Sequence, residues 1–296
     1  MLTVLLGLSA ALGYALHDLL VVPATRRARP LTVMFWVLCS SLAILLTLAL
    51  FLDGLPHGAA QWRAIGWAAV GGVFYVAALF ALLRGFSVGA LSLVTPLAAL
   101  EGAFATVYSV LNGEAIAGVA VIALPLAVGG GVLASIAMGK PGGEDTGSPA
   151  GFARRRARLA PAAGAGWGLL CGALFAVTLL TYAEAGAVGP VTAAAAGRLA
   201  STPLVAPLVL AARVSRLDRS LRPRTLLAGA CEAGGYIAAA AALARGPVST
   251  ASVMIAQFAL FAVVLGIVVL RERPAPHQLL GIALTVLAVT LLGLAA

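Results

Sequence analysis

Three ionisable residues sit where hydrocarbon surroundings make them costly. Glu101 is the single charged residue in the apolar run from Gly85 to Gly113, within the string ALEGAF. Arg198 lies in AAGRLAST (195–202) and Glu232 in CEAGGY (231–236). A charge at the centre of a membrane helix costs about 2.5–3.5 kcal/mol on insertion scales, so such residues face a protein interior or a water-filled cavity. The planar fork of Arg198 suits a carboxylate or phosphate, and a neighbouring Glu can take a coupling proton. The competing reading is a static ion pair, Arg198–Glu232 or Arg198–Glu101. Tyr75, Tyr236 and Gln257 are polar residues inside apolar segments and join the candidate set. His17 and Asp18 lie near the end of the first apolar segment and are weaker candidates, because polar groups there can reach headgroups.

Other chemistries are not supported. HExxH is not found, nor is GxSxG with catalytic partners, so no catalytic residues and no enzyme activity are expected. No GxxxxGK[ST] loop points to a nucleotide. His17, His57 and His277 are dispersed, and Cys39, Cys171 and Cys231 fall in different apolar segments, so no metal site, disulfide or cofactor is expected.

The elements that hold these residues must be membrane helices. The 296 residues are 62% apolar and 10% charged, against roughly 25% charged in soluble domains. Apolar runs of about 20 residues, enough to cross a hydrocarbon core, recur along the whole chain. They predict ten helices near 2–22, 31–52, 62–83, 87–111, 115–138, 162–184, 190–212, 224–243, 248–270 and 276–295. A polar, basic linker over 139–161 separates residues 1–138 from 162–296, five helices each. The fold class expected is all-α integral membrane.

The two sets match at an offset of about 160. YVAALFALLRG (75–85) lies over YIAAAAALARG (236–246), pairing Tyr75 with Tyr236; PLTV (30–33) lies over PVTA (190–193). Glu114 in LNGEAIAG pairs with Glu272 in LRERPAPH, each before the last helix of its set and suited to that helix's first-turn dipole. Opposite Glu101 the second set offers Leu260 and Phe261. Five spans per copy force the second copy to enter from the opposite side, which makes an inverted-topology repeat. Transporters of that design place the substrate near the midplane, between repeats.

With these motifs the chain resembles an EamA-type member of the drug/metabolite transporter superfamily: two five-helix repeats, an Arg-Gly turn before the fourth helix and a Glu before the fifth. The resemblance implies a secondary transporter, more often an exporter, of a small metabolite, amino acid or amphiphilic compound. An ion or Mg²⁺ transport protein, or a flippase for lipid-linked substrates, is the alternative within the superfamily. The expected partners are a small-molecule substrate, membrane lipids and coupling protons; a monomer and a homodimer are both compatible.

The net charge of +9 does not point to nucleic acid. Sixteen of the 19 basic residues fall in loops after helices 1, 3, 5, 7 and 9, a topology signal that puts those loops in the cytoplasm and both termini outside. A bacterial cytoplasmic (inner) membrane is the expected location.

Overall fold

The computed structural model describes residues 1–25, 28, 30–52, 56–88, 97–115, 118–135, 161–211, 217–270 and 275–295. It is 89% helical, with no strand among the described residues. Eleven α-helices are described: α1 Leu2–Thr25, α2 Pro30–Leu52, α3 Gly58–Val88, α4 Glu101–Leu111, α5 Ala120–Ser135, α6 Pro161–Glu184, α7 Pro190–Ala211, α8 Arg222–Arg245, α9 Val248–Ile255, α10 Phe258–Leu270 and α11 Pro276–Ala295. A 3-10 turn, Ala185–Val188, joins α6 to α7. Proline opens α2, α6, α7 and α11, where its missing N–H costs nothing and its fixed φ suits the first turn.

Among the described residues five helices are long and apolar enough to cross a membrane: Leu2–Val21, Leu31–Leu52, Gly58–Leu82, Gly164–Val188 and Arg222–Arg245, with shorter apolar stretches at Ala120–Leu133 and Pro276–Ala288. Helix α3, at 31 residues, is about 46 Å long, more than the hydrocarbon core requires.

Two of the predicted spans are not continuous. The one expected over 248–270 breaks at Ala256–Gln257 into α9 and α10. There Gln257 N–H donates to the Met254 carbonyl, three residues back, instead of to Val253. Val253 O is not orphaned, because the Gln257 side-chain amide donates to it at 3.0 Å. The span expected over 87–111 turns at Ala99–Leu100, where Leu100 N–H donates to Leu97 O, before α4 begins. Glu101 is therefore the first residue of a helix and not the midpoint of one.

The two breaks touch. A methyl on Gly102 would stand 2.8 Å from Ser252 O and 2.9 Å from both Ala256 Cβ and Val253 Cα. Helices α4 and α9 can cross this closely only because position 102 lacks a Cβ. Thr106 and Ser252 hydroxyls reach across the contact, to Ser249 O at 3.3 Å and Gly102 O at 3.5 Å.

Glu114 has a fold role, but not at the helix that follows it. Its carboxylate accepts from the Val248 and Ser249 backbone N–H groups at 3.1 Å and from the Ser249 hydroxyl, capping α9 from across the chain. Its sequence counterpart Glu272 lies outside the described residues, as do the linker from 139 to 160 and most of the basic loop residues.

Candidate functional site

The candidate site is assembled by α3, α6, α7 and α8, with α1 along one side. Helices α3 and α7 meet at Gly72 and Gly197, where a methyl on Gly72 would overlap the Gly197 carbonyl oxygen. Tyr75 lies one turn beyond Gly72, and Arg198 directly follows Gly197, so this backbone contact brings the ring and the guanidinium together. The Arg198 carbonyl accepts from the Ser201 and Thr202 hydroxyls at 3.1 and 2.8 Å, which pins that turn of α7 ahead of Pro203.

Arg198 is 1% exposed. Its Nη2 stands 3.0 Å from Glu232 Oε1, and the same oxygen accepts from the Tyr75 hydroxyl at 2.9 Å. Its Cζ lies 4.6 Å from the Tyr75 ring centre and 4.2 Å from that of Tyr236, so the two tyrosines matched by the sequence repeat both face one cation. Such cation–π contacts reach about 2 kcal/mol when desolvated. Tyr236 also contacts Tyr14 and Tyr182 edge-on, at 5.6 and 5.7 Å, and Phe175 stands 5.8 Å from Tyr75.

This aromatic box leaves hydrogen-bonding capacity unused. Among the described residues, Nε, Nη1 and Nη2 of Arg198 have no hydrogen-bond partner, and neither has Glu232 Oε2. The Nη2–Oε1 contact is an ion pair whose direction does not make a hydrogen bond. Buried polar atoms are ordinarily satisfied, and orphaned ones cost about 1–3 kcal/mol each, more when charged. A guanidinium stacked between rings with its edges free is set up to receive an anionic group.

The other sequence candidates fall elsewhere. Glu101 is 6% exposed and is not in the Arg198 pair; no hydrogen bond to its carboxylate is found among the described residues. It lies within electrostatic range of Tyr14 and Cys171. Gln257 belongs to the α5–α9 contact, donating to Ala127 O at 3.3 Å, and its buried Oε1 has no partner among the described residues. His17 Nδ1 pairs with Asp18 Oδ1 at 3.0 Å. Sequence reasoning did not single out Tyr14, Tyr182, Phe175 or the Gly72–Gly197 contact. One available signal was that Gly197 directly precedes the buried arginine.

A cavity of about 590 Å³ opens between α4, α5 and α9, lined by residues such as Thr106, Val107, Leu124, Pro125 and Val253. It is almost wholly apolar and does not include Arg198. The string GFSVG (85–89) has GxSxG spacing, but Ser87 lies in the last turn of α3, not on a strand-to-helix elbow.

Residues 162–294 match the EamA-like transporter family, part of the drug/metabolite transporter superfamily. The matched stretch is the second half of the chain. It holds α6 to α11, and thus Arg198, Glu232 and Tyr236. EamA-like members are transporters acting on small molecules in a membrane, and the chain is an integral membrane protein. No curated relative matches it. A solved structure described only as "Crystal structure of protein" shares the fold, with a TM-score of 0.75 at 18% identity over 99% of this chain and 98% of that one.

Proposed function

We propose that the protein is a proton-coupled secondary transporter, working as an exporter, for a small metabolite that carries an anionic group, such as an amino acid or an amphiphilic carboxylate. The observation that supports it is the buried Arg198 guanidinium, held between Tyr75 and Tyr236 with unused donors and a single carboxylate partner. In this reading Arg198 holds the substrate anion, and the tyrosines wall the site. Glu232 releases Arg198 when it takes a proton, so substrate and proton bind together and leave together, export being driven by the outward gradient of the substrate itself. Glu101 is a second intramembrane carboxylate outside the Arg198 pair, and Gln257 holds the α9–α10 break.

The architecture proposed with it is ten spans in two inverted five-helix repeats, 1–138 and 162–296, joined by a cytoplasmic linker over 139–161. Both termini face outward from a bacterial inner membrane. In support, the backbone breaks at corresponding places in both halves, Ala99–Leu100 and Ala256–Gln257. Transporters of inverted topology use such interrupted helices at the repeat interface. Alternating access then rocks one repeat on the other across the Gly102–Val253 contact.

A flippase for lipid-linked substrates is the second reading, favoured by the apolar cavity between α4 and α5. Among the described residues no group of three or more His, Cys, Asp or Glu favours a Mg²⁺ carrier.

Pyranine-loaded proteoliposomes test the first reading, with amino acids, other small carboxylates, polyamines, nucleosides and cationic drugs added in turn. A carboxylate is expected to evoke proton flux that Glu232→Gln abolishes, and its binding is expected to fail in Arg198→Gln. Cation-evoked flux that survives Arg198→Gln would overturn the anion assignment. Movement of a fluorescent lipid with no solute flux would favour the flippase.

A further inference from the structure

We infer that His17 and Asp18 form a proton inlet to Glu232, opening at the end of the bundle where α1 finishes and α8 begins. The inference rests on the reading of Glu232 as the proton-binding carboxylate. It assigns to α1 a role distinct from substrate binding.

The register of α1 on α8 supplies the geometry. The helices run antiparallel: a methyl on Gly246 would overlap the Thr3 side chain, and one on Gly13 would meet Cys231 O and Gly235 Cα at 3.0 Å. Gly13 is thus level with Cys231–Gly235, and four residues further along α1 His17 is level with about residues 227–231, one turn from Glu232 towards the start of α8. His17 lies one turn from Tyr14, which contacts Tyr236, so it faces the same side of α1. His17 is within electrostatic range of both Glu232 and Arg198.

The exposure runs in one direction. Side-chain accessibility is 49% at Asp18 and 21% at His17, and falls to 3% at Glu232. Asp18 is seven residues short of Thr25, about 10 Å inside the helix end. The membrane-length stretch of α1 ends at Val21, so the half-exposed Asp–His pair lies within reach of the headgroup region, where water has access to it. Helix α1 ends among Ala24, Val33, Leu217 and Leu221, packed beside the approach to α8, so the inlet opens on the face that carries Arg219, Arg222 and Arg224.

The groups around His17 suit a relay. From its own helix come Asp18 and Tyr14, from α8 Glu232 and Cys231, and from α7 Arg198. Helices α2, α9 and α10 also pack on α1 and bring no charged residue within their described lengths. Helix α11 meets α1 near Val4 and Leu8, several turns away. A protonated Asp18 gives its proton to His17 Nδ1 while the ring's Nε2–H gives one to the Glu232 carboxylate, directly or through a water. Asp18 is left as carboxylate, Glu232 as acid, and the imidazole neutral in its other tautomer, which resets by exchange with water. The free acceptor for this proton is Glu232 Oε2.

The test needs no transported solute. With the full chain in lipid nanodiscs, a downward pH jump is followed by infrared difference spectroscopy at the protonated-carboxyl stretch, and Glu232→Gln identifies the Glu232 band. His17→Gln is expected to keep that band but slow its rise at least about tenfold, with the rate restored by added imidazole. Asp18→Asn serves as the second variant and is expected to slow it as well. A His17→Gln band that rises at the wild-type rate would overturn the inlet and leave the role of Glu232 standing. Absence of any Glu232-dependent band would overturn that role, and the inlet with it.

Discussion

The Arg198–Glu232 site and the α4–α9 crossing are both buried, both interrupt an apolar interior, and are built on opposite principles. The first is crowded with charge and aromatic rings and has regular helical backbone. The second has almost no charge: small residues, two broken helices and hydroxyl-to-carbonyl bonds. A buried ion pair offers a ligand something to bind, whereas a backbone break at a glycine contact offers two rigid segments something to pivot on. On the proposed function, binding and movement are carried by different parts of the chain, and substitutions should separate them.

The largest effect is expected at the ion pair. Arg198→Ala leaves the Glu232 charge buried with only Tyr75 for company, and removing one partner of such a pair costs roughly 3–5 kcal/mol. Thermal unfolding in detergent should show the loss, and transport should vanish. The double variant Arg198→Leu/Glu232→Leu is the sharper probe. It should recover most of the stability, because a buried pair contributes little net, and still be inactive. Recovered stability with retained transport would make the pair structural.

Next come the glycine contacts. Gly72→Ala pushes α3 away from α7 against backbone, which cannot yield as a flexible side chain would. Overpacking of this kind costs about 1–3 kcal/mol, and it displaces Tyr75 from Arg198, so substrate binding should weaken with stability. Gly102→Ala presses on the Ser252–Ala256 backbone instead. It should slow turnover while leaving the affinity measured by tryptophan or ligand-protection assays near wild type. Equal loss of affinity in both variants would erase the division between binding and hinge.

Glu114→Ala removes the cap from α9. Caps of this kind are worth about 1 kcal/mol, and hydrogen exchange of the Val248 and Ser249 amides should rise with little change in affinity. Protection that survives the substitution would show that α9 does not depend on the cap.

The helices were legible in the sequence because apolar runs of bilayer length have few alternatives. Arg198, Glu232, Tyr75 and Tyr236 were legible because charge and repeated aromatic residues stand out against Ala and Leu. Which carboxylate pairs with Arg198 was not, since Glu101 and Glu232 differ by packing and not by local sequence. The breaks were hidden for a related reason. Neither Ala99–Leu100 nor Ala256–Gln257 contains Gly or Pro, so no helix-breaking residue marks either position. Glu114 was read as serving the next helix because sequence shows only the neighbour in the chain, while its partner α9 is brought close by the fold.

The smallest effect is expected at Glu101, and it sharpens the comparison most. Glu101 is buried, but no hydrogen bond to its carboxylate is found among the described residues, so Glu101→Gln removes no partner and keeps the volume. Unfolding should therefore shift by less than about 0.5 kcal/mol, or toward greater stability, because an isosteric amide costs less to bury than a carboxylate. If Glu232 carries the proton, substrate-evoked flux should persist in Glu101→Gln and vanish in Glu232→Gln. The reverse pattern would move the coupling acid to the α4 break. Binding and hinge would then meet in one residue, and the Arg198–Glu232 pair would be left with substrate recognition alone.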